Sequence, residues 1–156
     1  MSTPRRGPAA EAAPPTAADH GPLAELELGI PSDVARVGEA VRLVVRHVES
    51  HGVDPHLARF NLRVALGEAL VNAILHGNGS DPSRQVTVRV QCAPVAIEVE
   101  VRDDGAGFDP AAVPDPTTPE RIRAPGGRGI FLIRQLVDDV RFSEKGNVIW
   151  MTLRRA

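Results

Sequence analysis

Residues 84–92, "RQVTVRVQC", and 95–103, "VAIEVEVRD", alternate apolar and polar side chains, and only Ala93 and Pro94 separate them. Period-two alternation puts every Val and Ile of each run on one face, and a two-residue link turns the chain straight back along itself. The pair is an antiparallel hairpin with one apolar side, so the fold must supply a second layer to cover it.

That layer is legible in three other segments. Residues 31–50, "PSDVARVGEAVRLVVRHVES", place Val34, Val37, Val41, Val44 and Val48 at helical spacing, opened by Pro31 and Ser32 and followed by Gly52. Asp54 as N-cap and Pro55 at the first helical position start a second helix that runs to residue 77 and stops in "HGNGS". Residues 127–140, "GRGIFLIRQLVDDV", return to helical spacing. "LAELELGI" (23–30) reads as an edge strand, and residues 140–155 as two strands around Lys145-Gly146-Asn147. The expected architecture is α+β: a two-layer sandwich of a mixed, mostly antiparallel sheet covered on one face by three helices. Residues 1–21, rich in Ala and Pro, read as a disordered tail and 22–156 as one domain.

Composition removes several function classes. Four Phe, one Trp and no Tyr leave little to stack on nucleobases of a single strand, and a formal charge of −2 gives no basic footprint for DNA or RNA. The single cysteine, Cys92, can form neither an internal disulfide nor a Cys-based zinc site, and it reads as a small buried hydrophobe in its strand. No apolar run is long enough for a signal peptide or a membrane span, so the chain is expected in the cytoplasm.

Within the second helix, "GEALVNAILHGN" (67–78) stacks Glu68, Asn72 and His76 at intervals of four. At 100° per residue these three span about 80° of the helix surface. Leu57, Val64, Val71 and Leu75 flank that sector on one side; Leu62, Leu66 and Ala73 flank it on the other. Arg59 and Arg63 occupy the remaining, wet sector. Two readings fit: a polar wall of a cavity with an apolar rim, or capping and pairing residues at a helix end, where His76 complements the dipole.

Two glycine motifs follow. "VRDDGAGFDP" (101–110) ends a strand on Asp103, with Gly105 and Gly107 beyond it. This suits a carboxylate that accepts a hydrogen bond from an exocyclic amine beside close-packed backbone, and equally suits a plain Asp/Gly turn. "PGGRGIF" (125–131) puts Gly126, Gly127 and Gly129 at a helix start, where free N–H groups favour a phosphate. No Lys-Ser/Thr pair of a Walker motif follows. Between the motifs, residues 104–126 hold three Gly and five Pro without periodicity, which fits a functional loop such as a lid.

Taken together and in this order, the Glu/Asn helix, the Asp-x-Gly-x-Gly strand end and the Gly-rich helix start resemble the GHKL (histidine-kinase-like) ATP-binding fold. Within it, "EALVNAILHGN" and "GGRGIFLIRQLVDDV" look most like the bacterial anti-sigma factor serine kinases, over about residues 22 to 155. The resemblance implies ATP and Mg²⁺ as cofactors, with Glu68 as general base, Asn72 as Mg²⁺ ligand and Asp103 on the adenine amino group. Gly105 and Gly107 would flank the base, Gly127 and Gly129 the phosphates, and 109–126 would form the lid, with Arg121, Arg123 and Arg128 within reach of phosphate. Arg36 resembles the family's partner-contacting arginine, while a solvated helix charge explains it equally well. The implied partners are an anti-sigma-factor antagonist or a sigma factor, and homodimerisation is part of the same expectation.

Two rival functions stand beside this one. A pure binding module would use ATP to shape a partner surface without transferring phosphate. A histidine kinase fragment would need an acceptor histidine on a dimerising hairpin; His47, on the first helix, reads as a surface residue instead. The larger ATPases of the fold need transducer domains that 156 residues are not expected to hold.

Overall fold

The computed structural model describes residues 24–105 and 127–155. Five strands, β1 (Ala24–Pro31), β2 (Gln85–Cys92), β3 (Ala96–Arg102), β4 (Asp139–Phe142) and β5 (Val148–Arg154), form one sheet in the order β1-β2-β3-β5-β4. Every pairing is antiparallel. The expected "mixed" character is therefore absent from these strands, because each consecutive pair closes by a hairpin or returns over the helical layer in the opposite sense. β1 lies at an edge, as its short alternation implied.

Register shows why the alternation works. Leu26, Val90, Val99, Met151 and Val140 lie opposite one another across all five strands, and Leu28, Val88, Val101, Ile149 and Phe142 form the parallel row. These rows carry the core, in which Val88, Val90 and Met151 are wholly buried. Complete burial of one such side chain contributes about 1.5–3 kcal/mol. The opposite face is polar: Arg89 bridges Glu25 at 3.3 Å and Glu27 at 3.2 Å, and Arg102 reaches Glu100 at 2.9 Å.

Three helices cover the apolar rows. α1 (Val37–Ser50) is preceded by a 3₁₀ turn, Val34–Arg36, whose N-cap is Asp33; its side chain accepts from the Ala35 N–H at 3.0 Å. The start therefore lies later than Pro31 and Ser32, which end β1 and anchor its exit. α2 (Arg63–Asn72) is extended by π-helical turns at Leu57–Leu62 and Ala73–Gly77, giving one continuous rod. Asp54 caps it as expected, accepting from His56 N–H at 2.7 Å. α3 (Gly127–Leu136) ends four residues before its pattern suggested. Asp138 takes the chain out of the helix by donating its N–H to Thr152 O at 2.9 Å and accepting from Arg154 N–H at 2.6 Å. Asn61 of the rod donates to Leu136 O at 2.9 Å and so closes the end of α3.

Asn78 performs a task its place in a Gly/Asn terminator conceals. It is 2% exposed, and its Nδ2 donates to Ser32 Oγ at 2.8 Å and to Gln85 O at 3.0 Å. Its Oδ1 accepts from Asp104 N–H at 2.8 Å. One amide thus joins the exit of β1, the start of β2 and the end of β3. Removing it strands buried donors and acceptors, each worth about 1–3 kcal/mol. Asn78→Ala is expected to lower the unfolding free energy by about 3 kcal/mol, read from the shift in urea midpoint at unchanged slope.

Other sequence readings fall into place. Cys92 is buried in β2, and burial raises its thiol pKa, so it is inert at neutral pH. His47 is half-buried rather than a surface residue, and its Nε2 is buried without a hydrogen-bond partner among the described residues. No described helix is long and apolar enough to cross a membrane. The tail (1–21), the lid (109–126) and Gly107 lie outside the described residues.

Candidate functional site

The polar column of α2 faces the start of α3. A methyl group placed on Gly129 would lie 2.9 Å from Glu68 Oε2, 2.9 Å from Asn72 Nδ2 and 3.4 Å from Asn72 Oδ1. Glycine at 129 is what allows the helix start to approach both side chains at once. Neither Glu68 nor Asn72 hydrogen-bonds to any other described residue, so both polar ends are free for a ligand. Helical spacing explains their neighbourhood: Ala65 and Ala69 on the same rod are buried and small, which lets α3 pack close.

β3 delivers Asp103 to the same region. The residue is 6% exposed; its N–H donates to Asn147 O at 2.9 Å, and its Oδ1 accepts from Gly105 N–H at 2.8 Å. Oδ2 has no hydrogen-bond partner among the described residues. Burial lifts the carboxyl above the usual carboxylate range, and the neighbouring Asp104 charge adds to the rise; the Gly105 N–H and, more weakly, Arg84 act against it. Gly77 and Gly105 interlock with this side chain. A Cβ on Gly77 would overlap the Asp103 carboxylate, and one on Gly105 would overlap the Gly77 carbonyl. Asp104 turns away, accepting from Gln85 N–H at 3.0 Å, so it does not compete with Asp103 for the site.

Between these walls runs a small, half-open cleft of about 40 Å³. Asn72 and Asp103 are its polar ends, while Ala73, Val101, Ile130 and Phe142 make the apolar lining. Its lining is mostly apolar, with the Asp103 carboxylate and the Asn72 amide as polar groups.

Asn72 and Asp103 line this cleft, Glu68 joins Asn72 at Gly129, and Gly105 lies against Asp103. Gly127 is the first residue of α3, where backbone N–H groups lack helical partners. His76 and Leu75 are exposed, so the column leaves the cleft at its C-terminal end. Arg36 is exposed on the 3₁₀ turn and lines a separate hollow of about 290 Å³ with Leu28, Pro31, Glu39 and Leu43. Arg128 is exposed. Sequence reasoning missed Gly77, Gly146 and Asn147, which read as turn residues; an Asn-Gly turn carries no mark of what it packs against.

The model of the histidine kinase-like ATPase domain family matches residues 30–153. The chain belongs to this family. Curated relatives narrow the assignment. A serine-protein kinase RsbW from Bacillus velezensis is 31% identical over 134 residues, covering 81% of this chain and 83% of that protein. RsbW of Listeria innocua is 30% identical over 121 residues, covering 71% and 75%, and that of Oceanobacillus iheyensis 29% over 133, covering 81% and 83%. The chain is accordingly an RsbW-type protein serine kinase with an ATP-binding domain. Its fold is also that of the RsbU and RsbW domains of a Mycobacterium tuberculosis protein (TM-score 0.59, 16% identity), with 85% of this chain aligned. This chain spans about a third of that longer protein, 32%.

Proposed function

We propose that this kinase is an ATP-dependent anti-sigma factor that phosphorylates a serine of an anti-sigma-factor antagonist and so regulates sigma-factor-dependent transcription. The observation that carries the proposal is the placement of Glu68 and Asn72, two oxygen-bearing side chains without hydrogen-bond partners among the described residues, against the glycine start of α3.

The donor set was tested against Mg²⁺. Asn72 Oδ1 and Glu68 Oε2 are hard oxygen donors side by side at Gly129, and no described cluster of three or more His, Cys, Asp or Glu forms a closed cage. One or two protein oxygens with the remainder left to water and phosphate is the arrangement Mg²⁺ prefers. Asn72 would hold it. When bound, the ion supplies neutralisation of the phosphate charge.

The remaining work belongs to the chain. Glu68 Oε2 accepts the proton of the incoming serine hydroxyl as its oxygen bonds to the γ-phosphorus, while the bond from that phosphorus to the β–γ bridging oxygen breaks and ADP leaves with its electron pair. The N–H groups at Gly127 and Gly129 point at the phosphate end and stabilise charge developing there. Asp103 Oδ2 accepts from the adenine amino group, with Gly105 and Gly107 leaving room for the ring. Arg36, on its own hollow, contacts the protein partner. Phosphoserine on the antagonist adds charge at that contact and weakens its return. Incubation with Mg-ATP and the cognate antagonist should yield phosphoserine detectable by mass spectrometry; its absence overturns the kinase–antagonist pairing.

Asp103 offers a second check with a defined sign. Its folded pKa lies above the unfolded value, so the folded state holds its proton more tightly. Stability is then lost as pH rises through the window from the ordinary Asp value to the raised one. Asp103→Asn keeps the shape and removes that cost. The variant is expected to match wild type in strong acid and exceed it in stability at pH 7, by thermal unfolding without nucleotide. Its ATP affinity should fall about 10- to 100-fold, because a charge-assisted bond to the base is lost. Unchanged affinity removes Asp103 from the adenine site.

A further inference from the structure

The most spacious hollow described, about 500 Å³, lies on the opposite flank of α2, in the groove between α1 and α2. The two helices run past one another in opposite directions. Glu49 and Arg59 meet near the connection, at 2.5 Å, and Gly38 and Gly67 line the same groove. The floor is apolar and narrow-sided: Val41 is 6% exposed, Val45 half-buried, and a Cβ on Gly67 would meet nothing within 4 Å. The walls are cationic. Arg42 and Arg46 stand one helical turn apart on α1, with Arg59 and Arg63 one turn apart opposite them. Arg59 is held by Glu49, whereas Arg42, Arg46 and Arg63 have no carboxylate partner among the described residues.

Three exposed guanidinium groups without carboxylate partners among the described residues, above an apolar floor, present a surface complementary to an acidic partner with an apolar stripe. Their repeat of one turn along both walls matches carboxylates spaced i, i+4 on a helix lying in the groove. The open space over Gly67 gives such a helix room to approach closely. We propose that the α1–α2 groove is a docking site for an acidic amphipathic helix of a partner protein, distinct from the hollow beside Arg36. The chain's own first 23 residues are a poor occupant, since they pair two acidic residues, Glu11 and Asp19, with Arg5 and Arg6.

The probe is a fluorescein-labelled amphipathic peptide of about 18 residues, five turns, with a Leu/Ala stripe flanked by Glu pairs at i, i+4; the control carries Gln at every Glu. Full-length protein should bind the Glu peptide at least about tenfold more tightly than the Gln peptide, with affinity falling as salt rises. Joint Arg42→Ala, Arg46→Ala and Arg63→Ala substitution should abolish that preference. Gly67→Leu, whose Cβ meets nothing within 4 Å, projects a side chain into the groove and should weaken the Glu peptide about tenfold, with thermal unfolding confirming the fold. Glu49→Gln frees Arg59 as a fourth cation and should tighten binding about threefold. Equal binding of the two peptides, or a Glu preference that survives the triple substitution, overturns the proposal. So does tighter groove-dependent binding of a duplex DNA probe than of the Glu peptide.

Discussion

Replacing Glu68 by Gln is expected to slow phosphoryl transfer to serine by ~10²–10⁴-fold while leaving ATP affinity within about threefold. Gln matches Glu in shape, so the packing against Gly129 survives, and the carboxylate makes no hydrogen bond to a described residue that the change could break. What disappears is the proton acceptor. Single-turnover assays with γ-labelled ATP separate the transfer step from binding. A variant that transfers phosphate at the wild-type rate would remove Glu68 as general base. A variant deficient in transfer that still inhibited the proposed sigma factor would instead favour regulation by nucleotide binding alone.

The second large effect is expected at Gly129, by a different physical route. Gly129→Ala places a methyl carbon 2.9 Å from both Glu68 Oε2 and Asn72 Nδ2, closer than real Cβ contacts allow. Both obstructing atoms are ends of side chains that can swing aside, so the fold should survive; alanine also favours the helix. The displaced groups are the ones that must be aligned. A misplacement of about 1 Å costs on the order of 10²-fold in rate. The turnover number should therefore fall about 100-fold, with thermal unfolding changed by no more than a few degrees. A fully active variant would mean that Glu68 and Asn72 need no fixed position, and the reading of the column as a catalytic wall would fail with it.

Much of the fold was readable because its signals are periodic and local. The alternation at 84–92 and 95–103 fixed the hairpin, and Asp54-Pro55 announced the second helix to the residue. The rows from Leu26 to Val140 and from Leu28 to Phe142 follow from that alternation once the strands are neighbours. The errors sit where a distant partner overrides a local pattern. α3 stops at Leu136 because Asp138 is captured by β5, although Val137 and Val140 continue the helical spacing. α1 starts late because Ser32 is committed to Arg84 O, at 2.7 Å. The candidate site was legible as three motifs in order; the structure brings Asn72 to one cleft with Asp103, and Glu68 and Asn72 to Gly129. Gly77 and Asn78 were hidden because spacing marks a helix end and says nothing of what lies across from it.

The amide of Asn78 has one more consequence. By clasping the Asp104 N–H while Asn147 O takes the Asp103 N–H, it holds the backbone beneath the Asp103 carboxylate in place. On the proposed reading of Asp103, a purine arriving there spends little of its binding free energy on ordering that wall, because the sheet has already done so.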